Sequence, residues 1–329
     1  MKPITILLPL CLFFFAAAAQ KKQNVYFFKN NGKEVALKDS ADYLRVIQEP
    51  DSGELHFNLF EFYVNDKRKT IGKVSSFQPF LVYEGLILRF DPEGKRKEVT
   101  THEKGMPLGM SYHYFSNGKL NKQIEYLPYT SPNSTNLPKA PYNPNAKLIY
   151  FADSLGKVYV EGGNGHFLET TTTASGSHSE EGDYKDGLKH GVWKGSGSSN
   201  GSSFTENYDM GKLISGETTV NGLTYPYTKK ESLPEFKGGI SKFYEYVGRS
   251  VRYPAEAIRQ RASGSVTVEF TVEKDGRVSD VVIKKSAHPD LDEEAMRVLR
   301  LSPKWIPATQ RGIPVRVKYS IPLKFSMPR

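Results

Sequence analysis

The chain has 329 residues, room for two or three domains, and its 38% hydrophobic content and mean hydropathy of −0.50 describe a soluble protein with long polar or irregular stretches. The net charge of +9 is unevenly placed: residues 234–329 hold 18 Lys and Arg against 11 Asp and Glu, so +7 lies in the last third. A basic domain can serve nucleic acid, but here the charges alternate along strands without interleaved aromatics, which points instead to a solvated face or an acidic peptide partner.

The chain opens on an apolar run from Ile4 to Ala19, 16 residues long, preceded by Lys2 and ending in alanines before Gln20-Lys21-Lys22. A spanning helix needs about 20 apolar residues, whereas a short apolar core ending in small residues fits a secretory signal peptide over residues 1–19. Cleavage near Ala19–Gln20 would leave a periplasmic protein; the alternative is an uncleaved anchor in the inner membrane. Cys11, the single cysteine, lies inside this run, so the processed chain has neither disulfides nor a thiol nucleophile. Leu10 is too large for the position before a lipoprotein cysteine.

From residue 25 to about 127 the sequence reads as short aromatic-rich strands broken by glycine turns. Phe28-Lys29-Asn30-Asn31-Gly32-Lys33, Phe90-Asp91-Pro92-Glu93-Gly94-Lys95 and Tyr114-Phe115-Ser116-Asn117-Gly118-Lys119 share one pattern of aromatic, polar residues, Gly and Lys. Residues 128–145 contain Pro128, Pro132, Pro138, Pro141 and Pro144, which forbid regular strands and predict an extended connector. A second hairpin lobe follows over residues 146–228, with Glu181-Gly182-Asp183-Tyr184-Lys185-Asp186-Gly187 before Gly191-Val192-Trp193, and Asn207-Tyr208-Asp209-Met210-Gly211-Lys212-Leu213. Its Thr-, Ser- and Gly-rich parts between His166 and Ser203 read as long loops between hairpins. Units of this kind, each too small to bury a core, work by stacking. They resemble degenerate MORN-type repeats; Gly-Lys after a polar residue is also ordinary turn chemistry, so plain β-hairpins are the other reading.

The last third is the most regular. Val266, Val268, Phe270 and Val272 alternate with Thr267, Glu269, Thr271 and Glu273, the period of a strand with one buried face. Lys274-Asp275-Gly276-Arg277 reads as a tight turn in which Asp-Gly supplies positive φ. A second strand runs through Val278, Val281, Val282 and Ile283. The period then becomes helical: Leu291, Ala295, Val298 and Leu299 form one stripe, with Pro289 at the start, acids in the first turn, and Arg297 and Arg300 at the end. The final strand, Val315 to Phe325, points Val315, Val317, Tyr319, Ile321, Leu323 and Phe325 inward and Arg316, Lys318, Ser320 and Lys324 outward. Pro322 has no N–H to give a neighbour, which predicts a sheet edge.

Pro234-Glu235-Phe236-Lys237-Gly238-Gly239, Tyr253-Pro254-Ala255, Gly264-Ser265-Val266-Thr267-Val268, Asp275-Gly276-Arg277-Val278, Trp305-Ile306-Pro307-Ala308 and Gly312-Ile313-Pro314-Val315 resemble the C-terminal domain of the TonB family, over residues 234–327. Lys237 stands where that family often has proline. The fold expected is therefore α+β: an N-terminal all-β hairpin region with MORN-like repeats, then a small domain with a three-stranded antiparallel sheet and helices on one face.

The resemblance implies a module that binds an outer-membrane TonB-dependent transporter, or another envelope protein, by strand addition. The expected contacts are Val315, Arg316, Val317, Lys318, Tyr319, Ser320, Ile321 and Lys324. The second reading is an envelope scaffold acting through its repeats, with the C-terminal domain for docking or homodimerisation. A weaker third is an antitoxin-like protein, opposed by the export signal. The seven histidines are scattered, with no HExxH pair, no phosphate loop and no GxSxG elbow. No enzyme, cofactor or metal is expected.

Overall fold

A computed structural model describes residues 21–128, 145–173, 176–197 and 201–327. The expected signal segment and nearly all of the proline-rich connector lie outside the described residues. The chain divides into two compact units at Glu161/Gly162, and over half of it is strand.

The first unit contains β1 (Gln23–Phe28), β2 (Glu34–Val35), β3 (Tyr43–Gln48), β4 (Phe57–Tyr63), β5 (Arg68–Ser76), β6 (Val82–Phe90), β7 (Arg96–Glu103), β8 (Met106–Tyr114), β9 (Leu120–Tyr126), β10 (Ala146–Ala152) and β11 (Val158–Glu161). From β3 to β11 every strand pairs antiparallel with the next, and β1 turns back to pair with β3. The aromatic-to-Gly-Lys pattern has a common cause. In the turns after Phe28 and Phe90, glycine takes φ of 82° (Gly32) and 85° (Gly94). Its N–H donates to the first turn residue, whose own N–H donates to the lysine carbonyl (Asp91 to Lys95, 2.9 Å). Leu127 N–H donates to the Asn145 carbonyl at 2.9 Å, so the two ends of the proline-rich segment meet and β9 pairs directly with β10.

In the second unit, β12 (Asn164–Thr173), β13 (Gly176–Lys185), β14 (Leu188–Gly197), β15 (Ser202–Asp209), β16 (Lys212–Val220) and β17 (Leu223–Tyr227) form another antiparallel meander. The Thr-, Ser- and Gly-rich stretch expected to be loops is thus strand. Hydroxyl residues meet directly across it: Thr170, Ser179, Ser196, Ser203, Thr219 and Thr224 are successive Cα partners on six strands, and the Ser179 and Ser196 hydroxyls are 2.8 Å apart. On the other side, glycine lies under a ring on the next strand. A Cβ on Gly182 would fall 2.3 Å from the Trp193 indole, and one on Gly195 would fall 2.3 Å from the Phe204 ring.

The remainder of this unit comprises β18 (Glu231–Ser232), α1 (Gly239–Ser250), α2 (Ala255–Arg259), β19 (Gly264–Val272), β20 (Val278–Lys285), α3 (Pro289–Arg300), β21 (Ala308–Gln310), β22 (Ile313–Val315) and β23 (Val317–Phe325). One three-stranded sheet has the order β20-β19-β23 and another the order β18-β21-β22. Trp305, Phe236, Phe243 and Phe270 pack ring on ring at 5.3 to 5.5 Å. They sit in a core whose buried members all fall between Phe236 and Phe325. The helix expected at Pro289–Arg300 is there, capped by His288, whose Nδ1 accepts from the Asp290 N–H. The β19–β20 turn differs from the expectation: only Gly276 is left-handed, with φ 83°. Asp275 instead accepts the Arg277 N–H at 3.1 Å with its side chain.

Candidate strand-docking edge

Strand β23 pairs with β19 from Val317↔Val272 to Phe325↔Gly264 without a register shift. Among the described residues no strand pairs with its other side. Its inward residues Ile321, Leu323 and Phe325 are buried, Val317 and Tyr319 are half-buried, and Lys318, Ser320, Pro322 and Lys324 are exposed. This is the alternation that the sequence implied. The expected contact set does not form one strand, however. Val315 belongs to β22 and pairs with Ala308, and Arg316 sits between the two strands. The break is held in place because the Arg316 Nε reaches both Glu273 carboxylate oxygens, at 2.9 and 3.1 Å, and its Nη2 pairs with Asp280.

An antiparallel strand turns alternate backbone groups toward opposite sides. Pro322 fixes the parity, since its ring nitrogen has no proton to give β19. Its carbonyl accepts the Tyr244 hydroxyl of α1 at 3.4 Å. Lys318, Ser320 and Lys324 share that parity, so their N–H and C=O groups face the open side. The opposite edge, β20, is of another kind. Its pairing with β19 shifts register twice, and Asp280 takes φ 48°. A bulged, charged margin of this sort resists pairing with a further strand. The regular open edge is therefore β23.

The face beside this edge is a lattice of ion pairs. Glu269 of β19 lies between Lys284 (3.0 Å) and Lys318 (3.7 Å), and the Lys284 hydrogen bond leads in holding its carboxyl below the usual range. Glu273 is held low first by the Ser279 hydroxyl and then by Arg316, and Glu273 in turn raises the Arg316 guanidinium. Arg316 is thus committed to the fold, whereas Lys324 forms no ion pair among the described residues. Tyr319 faces the core, 6.0 Å from both Phe270 and Trp305.

Sequence reasoning missed Tyr244, the one side chain of α1 that reaches the edge. Helix α1 escaped it because Gly238 and Gly239, both at positive φ, read as a turn and because only Phe243 of the helix is fully buried. Among the described residues no group of His, Cys, Asp and Glu is arranged to hold a metal ion, and no helix is long and apolar enough to cross a membrane.

A three-stranded β20-β19-β23 sheet with α3 across it and the Trp305 segment beneath has a counterpart among known families: residues 249–327 match the family model described as Gram-negative bacterial TonB protein C-terminal. This segment is a TonB C-terminal domain. The match begins inside α1, so the Pro234 to Gly239 pattern precedes it. No curated protein matches the sequence. The TonB C-terminal domain is a non-catalytic protein-interaction domain, and the edge strand β23 falls wholly within it.

Proposed function

We propose that this is a periplasmic TonB-like protein that captures an extended segment of an outer-membrane transporter, or of another envelope protein, by adding it to β23. TonB C-terminal domains interact with outer-membrane transporters. The observation that carries the reading here is the regular nine-residue edge with its unpaired outward backbone groups. Such an edge offers a partner chain a row of donors and acceptors, while the flanking side chains select among segments. Lys318 and Lys324 are the selecting charges, favouring an acidic segment.

The test is proline at Ser320 or Lys318. Both share the parity of Pro322, so each change deletes an outward N–H without touching the ladder to β19. A paired backbone hydrogen bond is worth about 1 kcal/mol net, so each variant should recover several-fold less partner from solubilised envelope while melting near wild type. Undiminished recovery by well-folded proline variants would rule this edge out.

A second reading, in which a MORN-like meander is the main scaffold, draws support from the way the domain is mounted. Three residues, 228–230, separate β17 from β18, and Arg311 of the β21–β22 hairpin pairs with the fully buried Glu206 of β15 at 3.0 Å. A domain so closely attached suits docking at a fixed place better than reaching across the periplasm on a long tether.

A further inference from the structure

In the first unit, one line of Cα partners runs across β3 to β7 as Arg45, Glu61, Thr70, Arg89 and Glu98. Arg45 Nη2 meets Glu61 at 2.7 Å and Arg89 Nη1 meets Glu98 at 2.6 Å. Opposite charges placed directly across strands hold register, which accounts for these four side chains. It does not account for the two lysines beside them.

Both lysines are extra residues in β-bulges. Glu61 pairs with Thr70 and Phe62 with Arg68, so Lys69 has no partner in the ladder. Arg89 pairs with Glu98 and Phe90 with Arg96, so Lys97 has none either. A bulge re-aims the side chain that it inserts. Lys69 Nζ consequently sits 3.2 Å from the centre of the Tyr43 ring, on the face that carries Arg45. Lys69 and Lys97 line one cleft of about 250 Å³ with Tyr43, Arg45, Tyr83 and Arg89. The bulge itself is general: the corresponding inserted residues are Asn121 after Tyr114 and Tyr159 before Val160. Lysine at this position is specific to the two hairpins that border the cleft.

The charge in the cleft does not balance. Arg45, Lys69, Arg89 and Lys97 face only Glu61 and Glu98. Arg45 already bonds Glu61 Oε1, leaving Lys69 a 3.8 Å approach to the other oxygen, and Lys97 forms no ion pair among the described residues. Burial depresses the Lys69 ammonium, against the pull of Glu61, as expected of a partly desolvated cation short of counter-charge.

We propose that this cleft binds an anionic group, phosphate or carboxylate, with Lys69 and Lys97 as its primary contacts and Arg45 and Arg89 as the surrounding field. The site lies outside the TonB C-terminal domain and does not depend on the β23 reading. The test is isothermal titration of the full chain with inorganic phosphate and with succinate at low ionic strength, together with flotation on phosphatidylglycerol and phosphatidylcholine vesicles. The variants are Lys69→Met and Lys97→Ala, with Lys33→Ala as an exposed control. Wild type should bind an anion, in a manner that weakens with salt, and each cleft variant should lose roughly tenfold in affinity, the effect of one charge-assisted hydrogen bond. Lys33→Ala should match wild type. Heat with a free anion identifies a small soluble ligand; flotation on phosphatidylglycerol alone, lost in the same two variants, identifies a lipid headgroup. No binding in any arm, or binding that both folded cleft variants retain, overturns the proposal.

Discussion

Two residues concentrate the physics of the C-terminal half. Gly276 has φ 83°, and a Cβ there would stand 2.1 Å from the Trp305 carbonyl oxygen, while the Gly276 carbonyl accepts the Trp305 N–H at 2.9 Å. Neither backbone can yield without moving Trp305 out of the aromatic core. Gly276→Ala should therefore cost about 3 kcal/mol or more, from strain and overpacking together, measured as a lowered urea midpoint. Glu206 is the other. It is fully buried and accepts from the Tyr208 and Tyr227 hydroxyls (2.7 and 2.8 Å), with Arg311 and Lys230 beside it. Burial alone would raise its pKa; the two hydroxyls and the two cations outweigh burial and hold it below the ordinary 4.5. A carboxyl depressed in the folded state contributes stability that is complete above its unfolded value and is lost as pH falls through the folded one. Acid should then loosen this unit below about pH 4.5. Glu206→Gln should lose about 2–4 kcal/mol at neutral pH, since it strands two cations, and should show a flatter decline of Tm in acid. An unchanged acid slope would place the acid sensitivity elsewhere.

At the scale of elements, period was the legible signal. Strand β19, helix α3 and the alternation of β23 stand where polarity alternates or recurs every third or fourth residue, because one face of each is buried in a single core. The Ser- and Thr-rich strands β12 to β15 escaped the same reasoning because their polarity hardly alternates. What specifies them is register, hydroxyl opposite hydroxyl and glycine under aromatic, and register is not visible in a single strand. The bulge lysines of the anion cleft were hidden for the same reason: whether Lys69 is extra depends on which residue of β4 faces Thr70. The edge was partly legible, since Pro322 marked it, but the break at Arg316 was not, because it rests on contacts with Glu273 and Asp280, some 40 positions away in sequence. The stacking logic of the meander predicts that Gly182→Ala is disruptive despite its small volume, since the Trp193 ring must leave its place against Tyr184 and Phe167. A loss of about 2–3 kcal/mol is expected, with a blunted near-ultraviolet tryptophan band as the readout.

For the whole molecule, the boundary at residue 234 is a proposal that a fragment can test. The buried core between Phe236 and Phe325 is self-contained, so residues 234–329 should fold alone. They would lack β18, which pairs with β21, and Glu206, which holds Arg311. Hydrogen exchange of the fragment should thus show protected amides in 264–272 and 317–325 and fast exchange in 308–315. Uniform protection would mean that the hairpin needs no support from the meander.

That mounting also bears on mechanics. Any pull exerted through β23 leaves the domain by the Arg311–Glu206 contact and the three-residue link to β17. β17 is a five-residue strand containing Pro226, hydrogen-bonded on one side to β16. Load arriving at the end of an antiparallel meander opens it one rung at a time, in peeling rather than in shear. The domain should therefore act as a mechanical fuse: in single-molecule stretching it should come away at low force, in small steps beginning at Tyr227, well before the compact core around Trp305 gives way.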